Sequence, residues 1–66
     1  MKYKYWVRWQ GVTDQGEKFD GATIMARVYA IDSALQIESV TRFIMSNNRM
    51  KSVMLNNWIL LKSDDN

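Results

Sequence analysis

The sequence has 66 residues and contains neither cysteine nor histidine. It therefore cannot form a disulfide or a thiolate metal site, and it lacks the commonest metal ligand of proteins. A chain this short buries only about 60% of the surface that its unfolded form exposes, and small domains usually compensate with disulfides, a metal or oligomerisation. The composition most readily permits self-association. We therefore expect a homodimer with no metal and no cofactor.

The sequence also lacks the residues and motifs of common enzymes. Without histidine and cysteine, the usual general base near neutral pH and the usual thiolate nucleophile are missing. No G-x-S-x-G, G-x-G-x-x-G or G-x-x-x-x-G-K-[ST] motif occurs. The seven acidic residues are spread over a loop, one helix and the tail, so no carboxylate pair is set in a defined cleft. We expect a protein that is not an enzyme.

Long apolar runs and strong charge clusters are absent too. No run of about 18 apolar residues exists, and the N-terminus begins as a strand rather than as a signal peptide, so we expect a cytoplasmic protein without a membrane span. The net charge is +2. Without Asp64 and Asp65 in the tail, residues 1–62 carry nine basic and five acidic side chains, or +4. This excess permits phosphate contacts but is weaker than in dedicated nucleic-acid binders.

The opening run, residues 2–9, has the two-residue period of a strand. Its aromatic and apolar face consists of Tyr3, Tyr5, Val7 and Trp9, and its cationic face consists of Lys2, Lys4, Trp6 and Arg8. We expect the first face to build the core. Residues 10–21 are polar and contain three glycines, which predicts a long hairpin loop. Its carboxylates, Asp14, Glu17 and Asp20, lack the spacing of a calcium loop.

Residues 22–30 predict a second strand with one small apolar face, formed by Ala22, Ile24, Ala26, Val28 and Ala30. This face could lie under a helix beside the large aromatics of the first strand. The opposite face would then bring Arg27 and Tyr29 beside Lys4, Trp6 and Arg8, although a slip of one residue would invert the assignment. These five residues form our candidate binding site for a nucleic acid or a phosphorylated nucleotide. The alternatives are an ordinary solvated sheet face and a surface on which Trp6 or Arg8 anchors a protein partner.

Residues 33–47 predict a helix. Asp32 or Ser33 can cap it, and Ser33 with Gln36 has the form of a capping box. The core-facing stripe consists of Ala34, Ile37, Val40, Thr41, Ile44 and Met45. Leu35 and Phe43 lie on the other side, where they are either scattered exposed residues or part of a partner surface.

Residues 50–62 predict a hairpin with a two-residue turn at Asn56-Asn57; a bulge within one longer strand and a loop after a short strand are the alternatives. The fold would then be an α+β domain over residues 1–62, followed by a polar tail, 63–66. Its small, mostly antiparallel sheet (β-β-α-β-β) would have one helix packed across one face. Met54, Ile59 and Leu61 would lie on the uncovered side of the hairpin.

Two functions agree with these observations. The first is a homo-oligomeric inhibitor or modulator that occludes a macromolecular partner such as a host protein. Its interface would consist of Leu35, Phe43, Met54, Ile59 and Leu61. In its size and its lack of catalytic residues, the chain resembles small accessory proteins of viruses and mobile elements. The alternative is sequestration of a nucleic acid or a nucleotide by the basic and aromatic strand face.

Overall fold

A computed structural model describes residues 2–64, with the side chain of Asp64 excepted. Its elements follow in the order β1 (Lys2–Val12), β2 (Lys18–Arg27), α1 (Ala34–Asn48) and β3 (Ser52–Asp64). The strands form one antiparallel sheet in the order β2-β1-β3. The predicted α+β class, with one helix and an antiparallel sheet, is confirmed. The described residues form three strands, however, and not the four that we expected.

The first hairpin is longer than predicted, because polar residues of the expected loop belong to its strands. Pairing of β1 with β2 continues to Val12 and Lys18. The turn is closed by the Thr13 amide, which donates to the Glu17 carbonyl at 2.9 Å, and by Gly16, which adopts a positive φ of 85°. Gly16 can adopt this conformation without steric cost because it has no Cβ. The polar strand residues therefore lie on the sheet rather than in a mobile loop.

The predicted hairpin in the last segment is wrong, and the bulge that we kept as an alternative is observed. β3 pairs with β1 along its whole length, and the register shifts by one residue at two places, leaving Asn56 and Leu61 without an opposite residue. The strand also continues past the predicted end of the domain at residue 62. Ser63 lies opposite Tyr3, while Asp65 and Asn66 of the predicted tail lie outside the described residues.

Helix α1 begins and ends close to the predicted residues. The Ser33 hydroxyl accepts a hydrogen bond from the Gln36 amide at 3.4 Å, as an N-cap does. At the other end, Arg49 adopts the left-handed backbone conformation, with φ 54°, and its amide donates to the Met45 carbonyl. The helix does not combine the length and the apolar character that a membrane span requires.

The core lies between α1 and one face of the sheet. Val7 from the central strand and Val40 and Ile44 from the helix are its fully buried side chains. The Tyr5 hydroxyl accepts a hydrogen bond from the Ile31 amide at 2.9 Å, which attaches the connection between β2 and α1 to the central strand. The helix therefore covers one side of the sheet. We call the other side, without a helix, the open face.

Candidate binding surface on the open face of the sheet

The register of β2 is the opposite of the one that we predicted. Met25 lies opposite Tyr5 and belongs to the core, whereas Ile24 lies opposite Trp6 on the open face. The cause is Trp9, whose partner is Gly21: a Cβ atom at Gly21 would lie only 2.4 Å from the Trp9 ring. A slip of one residue would place Ala22 at that position, where its methyl group would clash with the indole. The space under the indole therefore selects the register.

This register separates Arg27 and Tyr29 from the other residues of the predicted site. Arg27 lies opposite Tyr3 on the helix side, where its Nη2 donates to Gln36 Oε1 at 2.6 Å. Tyr29 follows the end of β2 and is 65% exposed in the connection to the helix. The expectation that both residues lie beside Lys4, Trp6 and Arg8 is therefore wrong. As predicted, those three share one face of β1.

The open face consists of rows of residues that lie opposite one another on the three strands. The middle row is apolar and consists of Ile24, Trp6 and Ile59. One neighbouring row contains two cations and consists of Ala26, Lys4 and Lys62; the other consists of Ala22, Arg8 and Asn57. Ile24 is 59% exposed and Ile59 is 47% exposed, so the middle row presents apolar surface to solvent.

The cations of these rows have no ion-pair partner among the described residues. Lys4, Arg8 and Lys62 are exposed, and none of them forms an ion pair or a side-chain hydrogen bond with another residue of the described part. The ion pair that does form there, between Arg42 and Glu38 at 2.7 Å, lies on the helix. The open face therefore combines apolar surface with cations that form no ion pair within the described part of the chain.

The sequence did not reveal Lys62 as part of this surface. The position of Lys62 depends on the pairing of β3 with β1 and on two bulges, and both arise from contacts between distant parts of the chain. Lys18 and Asp20 also lie on the open face, opposite Val12 and Gln10, although we had placed them in a loop. Only the register of each strand could have identified these residues.

The residues of the predicted protein interface are exposed but do not form one patch. Leu35 (72% exposed) and Phe43 (51% exposed) belong to the helix. Met54 and Ile59 lie opposite Gln10 and Trp6 on the open face, and the exposed Leu61 is the bulge residue. The sheet therefore separates the two helical residues from Met54 and Ile59. A single partner of modest size cannot cover all five.

The chemistry that this surface offers is binding by apolar contact, ring stacking and positive charge. Trp6 lies in the centre; Lys4 and Arg8 lie two residues away along β1, and Lys62 lies opposite Lys4. In the part of the chain that the structure describes, no three acidic side chains are grouped so that they could hold a metal ion. Comparison of the chain with family models, with curated proteins and with solved structures finds no match.

Proposed function

We propose that this protein acts by binding, without chemistry of its own, and that its open face binds single-stranded nucleic acid. The observation that carries the proposal is the position of Trp6 in an apolar row between two rows whose cations form no ion pair with a described residue. Proteins that bind single strands combine aromatic side chains, on which bases stack, with basic groups that follow the phosphates.

The dimensions of the face suit this ligand. Adjacent rows are two residues apart along a strand, or about 7 Å, so the cationic rows enclose the apolar row within about 14 Å. A base stacked on Trp6 leaves its two flanking phosphates within reach of Lys4 or Lys62 on one side and of Arg8 on the other. Ile24 and Ile59 extend the apolar surface to both edges of the sheet.

The same charges oppose self-association through the open face. Suppose that two copies stack their open faces against each other about a two-fold axis. The row of Lys4 in one copy would then face either the row of Lys4 or the row of Arg8 in the other copy. In both arrangements cations face cations, and like-charge contacts across an interface cost several kcal/mol. The charge pattern therefore favours an anionic ligand over a second copy.

Salt dependence of oligonucleotide binding tests this function. If three cations each contact a phosphate, the affinity for a labelled single strand should fall about 20-fold between 50 and 200 mM salt, because counterion release from single strands gives a log–log slope of about −0.7 per contact. The measurement is fluorescence polarisation with a hexauridylate probe. Absence of binding at 50 mM salt, or an affinity that does not change with salt, would contradict the proposal.

The second candidate function is occlusion of a macromolecular partner by a homodimer, as in a virus-type accessory protein that inhibits a cytoplasmic host protein. Leu35 and Phe43 favour it, because both are large, apolar and exposed on the helix, away from the cationic face. Exposed apolar surface of this kind is typical of protein interfaces.

The helix residues give this second candidate its own test. Native mass spectrometry should find a dimer for the unmodified protein and a monomer for the double variant Leu35→Asp, Phe43→Asp, because two buried carboxylates would destabilise an apolar interface. The control variant Ile24→Asp adds a charge to the open face and should remain dimeric. A monomeric unmodified protein, or a dimer that persists in the double variant, would rule out the helix as the interface.

A further inference from the structure

A cleft of about 540 Å³ lies at the end of the open face that is nearest to the turn between β1 and β2. It begins one row beyond Arg8. The register places Asp20, Gln10 and Met54 in the first row of the cleft and Lys18, Val12 and Ser52 in the second. The cleft therefore continues the surface that we assign to single-stranded nucleic acid.

The cleft contains polar groups without partners. The side chains of Gln10, Lys18 and Asp20 are exposed and form no hydrogen bond or ion pair with another residue of the described chain. Gln10 and Asp20 lie directly opposite each other on neighbouring strands, which places their Cβ atoms about 5 Å apart. Met54, which is 61% exposed on the same face, supplies apolar surface beside them, whereas Phe19 lies opposite Gly11 on the helix side.

The charge of Asp20 indicates which part of a nucleotide this cleft accepts. An ionised carboxylate is only an acceptor of hydrogen bonds, and it repels phosphate. The rows of Lys4 and Arg8 suit the backbone, whereas the row of Asp20 suits a base that presents donors. Apolar side chains beside a few polar groups are also what a flat ring in a cleft requires.

We propose that this cleft is a guanine subsite at the end of the bound strand, an inference that rests on the proposed function of the open face. Guanine presents two adjacent donors, N1–H and N2–H₂, to which a carboxylate can bind with both oxygens, as Asp20 is placed to do. The neighbouring O6 accepts a hydrogen bond, and Gln10 or Lys18 can donate it. Uracil offers one donor between two acceptors, so it would place oxygen atoms against the carboxylate.

The first experiment compares mononucleotides by following backbone amide shifts in NMR titrations. GMP should bind at least tenfold more tightly than UMP, with the largest shifts in residues 10–12, 18–20 and 52–54. In polarisation measurements, a hexanucleotide of five uridines and one terminal guanosine should likewise bind more tightly than hexauridylate. The variant Asp20→Asn replaces one acceptor oxygen with a donor, and it should bind GMP and UMP equally while its affinity for hexauridylate stays the same or rises.

A matched control separates the position of Asp20 from its charge. Asp14→Asn makes the same change of charge in the turn, outside the cleft, and should keep the preference for GMP. Equal binding of GMP and UMP by the unmodified protein would overturn the subsite. A preference for GMP that survives Asp20→Asn would overturn it too. In either case, salt-dependent binding of hexauridylate would leave the proposed function of the open face intact.

Two further outcomes distinguish the subsite from the function on which it rests. A preference for GMP that is lost in Asp20→Asn, without binding of hexauridylate, would support the cleft as a nucleotide site and overturn its extension along the open face. No binding of either probe would overturn both proposals.

Discussion

Replacing Gly21 with alanine is expected to remove most of the stability of this protein. The added Cβ would lie 2.4 Å from Trp9 Cζ2, 2.6 Å from Cε2 and 2.9 Å from Cη2. Trp9 is only 6% exposed and lies on the central strand, so its ring cannot move aside without disturbing the core. Overpacking of this kind costs about 1–3 kcal/mol, and a domain of this size rarely exceeds about 3–5 kcal/mol in total. Urea denaturation should show a loss of about 3 kcal/mol.

Measuring Gly21→Ala in a protein that also carries Trp9→Phe tests whether the indole ring causes the loss of stability. Trp9→Phe removes the ring atoms that the new methyl group would meet, so Gly21→Ala should cost less than about 1 kcal/mol in that background, with a coupling energy of about 2 kcal/mol. The control Ala22→Val enlarges the neighbouring residue on the open face and should stay within about 0.5 kcal/mol of the unmodified protein. An equal cost of Gly21→Ala in both backgrounds would contradict the clash with Trp9.

The contrast between β1 and β2 explains why one set of faces could be predicted and the other could not. In β1 the alternating residues differ in polarity, so Tyr5, Val7 and Trp9 could only face the core. In β2 both alternating sets contain apolar residues, and we chose between them by size. That choice was wrong because the space beside Trp9 has no room for a side chain, so only Gly21 fits there. Further along β2 on the same face, the unbranched Met25 fills the core near Tyr5.

β3 shows that the faces of a strand can be predicted when the number of strands cannot. A two-residue turn at Asn56-Asn57 would put Leu55 and Trp58 on the same face, and the bulge at Asn56 does so too, because one extra residue shifts the alternation. The local sequence is therefore compatible with either structure. What decides between them is pairing with the eleven residues of β1, which is a long-range contact.

The candidate site follows the same division. Lys4, Trp6 and Arg8 could be predicted together because they alternate along one strand. Lys62 and Ile24 could not be added, since each depends on a strand register that is set by the packing of the whole sheet, although Ile59 was expected on the uncovered side. Sequence patterns therefore predicted the face of the central strand and of Met54 and Ile59 in β3, but not the face of β2 or how the three strands align.

The double variant Lys4→Glu, Arg8→Glu is expected to lower the affinity for hexauridylate about 100-fold at 50 mM salt and to weaken the salt dependence, because two phosphate contacts are lost and two repulsive charges flank Trp6. Both side chains are exposed and form no ion pair with a described residue, so the thermal unfolding temperature should change little. Polarisation titrations at 50 and 200 mM salt measure the loss.

A control with the same change of net charge decides whether position or total charge matters. Arg49→Glu, Lys51→Glu also shifts the net charge from +2 to −2, but it changes exposed residues between α1 and β3, beyond Val12 and away from the rows of Lys4, Trp6 and Arg8. This control should stay within about threefold of the unmodified protein, because exposed charges farther away than a Debye length, about 10 Å in 0.1 M salt, are largely screened. Equal losses in the two variants would mean that binding follows net charge and that Trp6 and its neighbouring rows do not form the site.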